Sequence, residues 1–386
     1  MAGDRDARRA ELFRRALVEL ADAEQHRTWL ARLWPDEPLA RALVAAAAVH
    51  GLTSTLHDRL VALDVTPPEE VALAQQGATA RRLAARATLV RLGRALDEAG
   101  VPWLTCKGAV VAARHERPEH REFNDLDLLV PGPRLADALD VAATIGVESI
   151  NRNWSTYLDH GVGELPLVDG TVWIDLHWHL VGLARVRRRF DLDPLALLDR
   201  RRRLDLGGVD VPVLDECNEV VHLALHAGLG GGARLCWLRD VRVVIAANRP
   251  DWDTLVAGAR RAKAATIVGL VLDRSRRLVG APVPEAVAEA LVPRRALWLA
   301  RRLDRRPASI EVLSRRVGSG TIVRSVRDDP ASTAGALANE VGSKVRSLAG
   351  RAHRWDVADR GGTLYWGTAT GGAADRERYL SMAASA

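Results

Sequence analysis

A chain of 386 residues exceeds one ordinary hydrophobic core, and 48% hydrophobic content excludes wholesale disorder, so two or three folded subdomains are expected. The formal charge of +6 admits acidic partners, yet only three of the 55 basic residues are lysines, so the arginine runs Arg187–Arg189 and Arg200–Arg203 reflect compositional bias and read as solvated faces, not a nucleic-acid signature. The longest apolar run, Ala42–Val49, cannot cross a bilayer, the charged start Met1–Asp6 lacks a signal-peptide core, and Cys106, Cys217 and Cys236 suit a reducing compartment; the expectation is a cytoplasmic protein without a membrane partner.

Residues 7–34 carry Leu12, Phe13, Leu17 and Leu20 at helical spacing. Helix is expected again over 38–63, interrupted near Gly51, and over 69–99 after Pro67-Pro68. The pattern then changes. Gly100–Cys106 reads as a short strand that breaks at Lys107-Gly108 into the helix-like Ala109–Arg114. A glycine opening a helix lets backbone N–H groups approach a phosphate, and the helix dipole favours its charge. Lys107 adds a point charge, conspicuous where arginine is the default cation. In Asn124–Val130, Asp125 and Asp127 share one face of an expected strand, with Leu126 and Leu128 on the other. Such a carboxylate pair is costly to hold together unless a cation sits between, and Mg²⁺ takes one or two carboxylates alongside phosphate oxygens.

Pro131-Gly132-Pro133 marks a turn before a helix over Leu135–Ala143. Thr171–Leu180 alternates: Val172, Ile174, Leu176, Trp178 and Leu180 share one face, and Trp173, Asp175, His177 and His179 the other. A third carboxylate therefore arrives on a separate strand, flanked by two imidazoles. Asp191–Leu214 reads as a short charged connection, and helices resume over Asp215–Leu229, Leu235–Ala247, Trp252–Ala264 and Thr266–Leu278. His222 and His226 lie one turn apart on a helix face, but Leu223-Ala224-Leu225 fills the gap where a zinc His-Glu-x-x-His motif needs glutamate. Asp240, between Arg239 and Arg242, reads as an ion-pair partner; Arg121 has the alternative of pairing with Glu122 or a nearby aspartate. Pro282 and Pro284 mark a boundary, and 317–386 has too weak an apolar pattern to assign a task.

Strand, Lys-Gly turn, helix, Asp-x-Asp strand, and a further strand with one more aspartate: in this order the chain resembles the polymerase-β-like nucleotidyltransferase superfamily. More narrowly it resembles the bacterial uncharacterised nucleotidyltransferase family, through Lys107-Gly108, Arg121, Asp125–Val130 and Asp175-Leu176-His177-Trp178. The downstream His222–His226, Arg234–Asp240 and Asp251-Trp252 extend the likeness over roughly residues 30–285. The wider superfamily commonly has Gly-Ser or Gly-Gly at the turn; Lys107-Gly108 supplies no serine hydroxyl.

The resemblance implies an α+β fold: a small mixed-sheet core at 100–185, flanked by an N-terminal helical region at 1–99 and a helical acceptor-side subdomain at 186–285, with a C-terminal extension at 286–386. It implies transfer of a nucleoside monophosphate, AMP from ATP being favoured, with pyrophosphate release. Asp125, Asp127 and Asp175 would hold two Mg²⁺ ions, Mn²⁺ being the alternative, and Asp175 would accept the acceptor's proton. Lys107, Gly108, Arg121 and Asn124 would contact the nucleotide, and His177, His179, His222 and His226 the acceptor. A small-molecule or peptide acceptor is favoured over RNA. The alternatives are a toxin-like nucleotidyltransferase acting on RNA or protein, and a non-catalytic nucleotide-binding regulator.

Overall fold

Seven strands form one mixed sheet in the order β3-β4-β5-β2-β1-β7-β6. They are β1 (Leu104–Cys106), β2 (Asp125–Leu129), β3 (Glu148–Ser149), β4 (Glu164–Asp169), β5 (Val172–His177), β6 (Arg202–Asp205) and β7 (Asp210–Val213). The computed structural model describes residues 2–22, 28–348 and 371–386. The architecture is α+β, and the chain divides into two compact units. One comprises Met1–Arg82, Val111–Phe123 and Glu219–Asp328; the other comprises Leu83–Val110, Asn124–Asn218 and Asp329–Ala386 and holds the whole sheet.

In the sheet unit, alternation sets the two faces. Leu126, Leu128, Leu165, Leu167, Ile174 and Leu176 are all buried on one side. Burying each such side chain contributes about 1.5–3 kcal/mol against exposure. On the other side Leu104, Cys106 and Leu129 pack with Leu197, Leu198 and Leu214. Asp169-Gly170-Thr171 closes the β4–β5 hairpin, Gly170 taking φ +57°, the left-handed backbone such a turn demands. The expected charged connection instead contains the hairpin β6–β7, whose β7 pairs in parallel with β1.

The C-terminal segment has a place in this unit. Its last helix, Ala373–Ala384, lies on the Gly132 turn so closely that a Cβ on Gly132 would stand 2.1 Å from the Ala383 carbonyl oxygen. Tyr379 Oη donates to the Val162 carbonyl at 2.7 Å and accepts from Trp178 Nε1 at 2.8 Å.

The other unit is helical. Of the stripe Leu12, Phe13, Leu17 and Leu20, Phe13 and Leu17 are buried on the helix Ala2–Glu19, Leu12 is half-buried there, and Leu20 is buried just past its end. Helix Glu37–His50 starts at Asp36, whose carboxylate accepts from Leu39 N, and stops at Gly51 with φ 65°. The four later helices run Glu216–Leu229, Leu235–Asn248, Trp252–Arg261 and Ala265–Val279, close to their sequence boundaries. Among the described residues no helix is long and apolar enough to cross a membrane.

Candidate active site

Backbone register assembles the acidic site. Strands β2 and β5 run parallel, with Asp127 beside Asp175 and Asp125 beside Trp173. Strand β4 is antiparallel to β5 and sets Glu164 opposite His177. Residues paired this way project from the same face. Asp127, Asp175, His177 and Glu164 therefore converge without any loop having to carry them. Thr105 on β1 ties β1 to β2 beside the site, its hydroxyl donating to the Asp127 carbonyl at 3.0 Å.

An ammonium and an imidazole meet one carboxylate. Asp127, 3% exposed, accepts from His177 Nε2 at 3.0 Å on the same oxygen that pairs with the Lys107 ammonium. The other ring nitrogen of His177, Nδ1, lies 3.3 Å from Glu164 Oε2 but has no aligned hydrogen-bond partner among the described residues. Lys107 has φ 54°, a left-handed backbone that costs a side-chain-bearing residue about 1–3 kcal/mol. The unusual backbone of the Lys-Gly turn thus falls on the lysine; Gly108 is the first residue of the short helix Gly108–Ala112.

The electrostatics follow from burial and crowding. Burial alone would push the Asp127 carboxyl up, but Lys107 and His177 hold it well below the usual carboxylate range. For Asp175, burial and the charges of Glu164, Asp125 and Asp127 act together and push the carboxyl well up. Burial opposes protonation of Lys107, yet Asp127 and its neighbours raise its pKa; the same contest, won by the bond to Asp127 and by Glu164, raises that of His177. An acidic group this crowded is suited to a multivalent cation. The donor set fits one: single ligand atoms of Asp127, Asp175 and His177 lie within 4.8 Å of one another. Asp125 shares their face one strand step away and adds to the negative field on Asp175.

The remaining sequence candidates fall in different settings. Strand β5 ends at His177, and His179 turns into the following loop. There its Nδ1 accepts from Val181 N at 3.0 Å and its Nε2 lies 3.2 Å from the Leu192 carbonyl; burial and Arg187 pull its pKa down to about 3. Asn124 is exposed just before β2. In the helical unit, Arg121 Nε donates to Asp240 at 2.8 Å, the ion pair the sequence offered as its alternative role. Arg239 beside it donates to Thr55 Oγ1 at 2.7 Å and to the His120 carbonyl. His222 and His226 have ring centroids 6.4 Å apart, and His226 meets Trp237 edge-on at 5.4 Å.

Glu164 was missed by sequence reasoning. The signal was Glu164-Leu165-Pro166-Leu167-Val168-Asp169 ahead of Gly170, an alternating run before a hairpin turn, which sets Glu164 opposite His177 once the register is known.

An α+β fold with these carboxylates on adjoining strands accords with the class that the family comparison shows, a nucleotidyltransferase, an enzyme that transfers a nucleoside monophosphate. A family model described as uncharacterised nucleotidyltransferase matches residues 36–280, well over half the chain. The protein belongs to that family. No curated protein matches it. Two solved structures are similar at 15% identity. The antibiotic-resistance factor ANT(2'')-Ia has a TM-score of 0.31, with 50% of this chain and 90% of that one covered. An antigenic nucleotidyltransferase-like protein from Paracoccidioides brasiliensis has a TM-score of 0.34, with 57% and 96% covered.

Proposed function

We propose that the protein transfers a nucleoside monophosphate, AMP from ATP, to a small-molecule or peptide acceptor with release of pyrophosphate, using divalent metal ions at Asp125, Asp127 and Asp175. The observation that carries this reading is the side-by-side pairing of Asp127 and Asp175 on parallel strands, with Asp125 on the same face. Ions bound there would activate the acceptor oxygen and neutralise the charge of the leaving pyrophosphate. Asp125 and Asp127 would hold the ion that neutralises the nucleotide's phosphates. Lys107, already beside Asp127, is placed to pair with the triphosphate once the carboxylate is otherwise neutralised. Asp175, on the strand beside Asp127, is the group that would take the acceptor's proton. Among the described strand residues facing the carboxylates, Trp173 is the aromatic ring available to stack, and a compact acceptor is the reading favoured over a nucleic-acid strand.

The test is incubation with each α-labelled nucleoside triphosphate, a divalent ion and an acceptor panel, following label transfer and pyrophosphate. Asp175→Asn should bind a non-hydrolysable ATP analogue nearly as tightly as the parent while turnover drops to background. Asp125→Asn should lose both. Full turnover by either variant would overturn the carboxylate mechanism.

A further inference from the structure

We propose that His177, oriented by Glu164, is a nitrogen ligand to the metal held by Asp127 and Asp175, and that this donor makes the site select Mn²⁺ over Mg²⁺. The inference rests on the reading above for the presence of a metal but not for the reaction. Its geometry comes from the backbone. Asp175 and His177 are successive same-face residues of β5, Asp127 is the parallel partner of Asp175, and Glu164 is the antiparallel partner of His177. A line of four side chains, Asp175 and Asp127 to His177 to Glu164, therefore crosses three adjacent strands.

The imidazole is committed to this line. His177 is 2% exposed, so its ring is shielded from bulk solvent. Nε2 faces Asp127 at 3.0 Å, and one ring nitrogen of His177 belongs to the 4.8 Å group that includes Asp175. Ligands on one ion at bond lengths of about 2.0–2.3 Å stand roughly 3–4.5 Å apart, so the group needs only side-chain adjustment to close on a centre. The opposite nitrogen, Nδ1, is buried, lies 3.3 Å from Glu164 Oε2, and lacks an aligned partner among the described residues. Binding through Nε2 fixes the proton on Nδ1, where a slight turn of the Glu164 carboxylate accepts it. Metal-ligating histidines are commonly oriented by a carboxylate in this way, and removing the orienting group typically costs about 10–100-fold in metal affinity. Glu164 is thus a positioning residue, acting through His177.

Ligand chemistry then sets the ion. Mg²⁺ demands hard oxygen donors and dehydrates reluctantly, whereas an imidazole shifts preference toward first-row transition ions. Two carboxylates beside one imidazole suit Mn²⁺, the most oxygen-tolerant of those. Lys107, which shares the Asp127 oxygen with His177, is the counter-ion that the metal displaces.

The experiment uses the full-length protein without nucleotide or acceptor. Mn²⁺ and Mg²⁺ are titrated calorimetrically, and pulsed electron paramagnetic resonance reads ¹⁴N coupling to bound Mn²⁺. The parent should show a nitrogen coupling and bind Mn²⁺ at least about tenfold more tightly than Mg²⁺. His177→Asn should lose the coupling, and in both His177→Asn and Glu164→Gln the preference for Mn²⁺ should shrink by about tenfold or more, with Mg²⁺ affinity little changed. Bound Mn²⁺ without nitrogen coupling in the parent would overturn the proposal whatever the variants do. An unchanged Mn²⁺-to-Mg²⁺ ratio in Glu164→Gln, with the parent's melting temperature retained, would remove Glu164 from it. Failure to transfer label in the nucleotide assay would count against the reaction and leave these binding results standing.

Discussion

Lys107 pays twice for its position, with a left-handed backbone and with an ammonium buried against Asp127. The two costs separate by mutation. Lys107→Gly should relieve about 1 kcal/mol of backbone strain while removing the charge; Lys107→Met removes the charge and keeps the strain. Thermal melts should therefore rank the glycine variant above the methionine variant, and both should bind ATP at least about tenfold more weakly than the parent. A methionine variant as stable as the glycine one would show that the turn is unstrained. At this scale the sequence was informative where chemistry is local. Asp125 and Asp127 share a face by spacing alone, and a lysine stands out in an arginine-rich chain. Glu164 is different: a glutamate in an isolated run reads as surface, and only the antiparallel pairing with His177 gives it a role. His179 illustrates the converse, since alternation continues past residue 177 while the strand does not.

Among the elements, the last helix carries more than its weak apolar pattern promised. Its Ala383 carbonyl occupies the space a Gly132 side chain would need, and Tyr379 bonds both Val162 and Trp178. Gly132→Ala should destabilise the protein by about 1–3 kcal/mol through overpacking against backbone. Tyr379→Phe should cost about 1 kcal/mol, because Trp178 Nε1 retains its 3.1 Å bond to the Val162 carbonyl. Denaturant melts of both variants check the order; a neutral Gly132→Ala would mean the helix can shift at no cost. The β6–β7 hairpin was hidden by composition. Leu204, Leu206, Val209, Val211 and Val213 around Gly207-Gly208 form an alternating hairpin pattern, but the preceding arginines and the flanking aspartates suggested a solvated linker. The helices after residue 215 were legible because their 3.6-residue stripes are long and their ends are marked, as by Asp251 capping at Thr254 N.

At the scale of the whole molecule, stability should depend on pH through histidines held neutral. Burial and the surrounding Arg239, Arg121 and Arg242 pull the His115 pKa down to about 2, and burial lowers that of His50. In the unfolded chain each returns to its ordinary value near 6.5. Between those limits the unfolded state binds more protons, so the stabilisation is complete above pH ~6.5 and declines as pH falls, by up to about 1.4 kcal/mol per pH unit for each histidine. His115→Gln should flatten the fall in melting temperature between pH 6.5 and 4. An equally steep profile in that variant would place the acid sensitivity elsewhere.

The interleaving of the two units bears on how such an enzyme can be inherited or rebuilt. The chain changes unit after Arg82, Val110, Phe123, Asn218 and Asp328, and the first, second and fourth of these points fall inside helices. No continuous stretch of gene encodes the sheet unit. A fragment ending at residue 185 would strip β7 from β1 and leave the strand that leads into Lys107 with a bare edge, open to pairing with other chains. All seven strands lie between Leu104 and Val213, but that stretch carries residues 111–123 of the helical unit with it and leaves behind the last helix, which packs at Gly132, so the sheet unit is not a self-contained cassette. Substitution in place, which keeps both units together, is the simpler route to new substrate preferences on this scaffold.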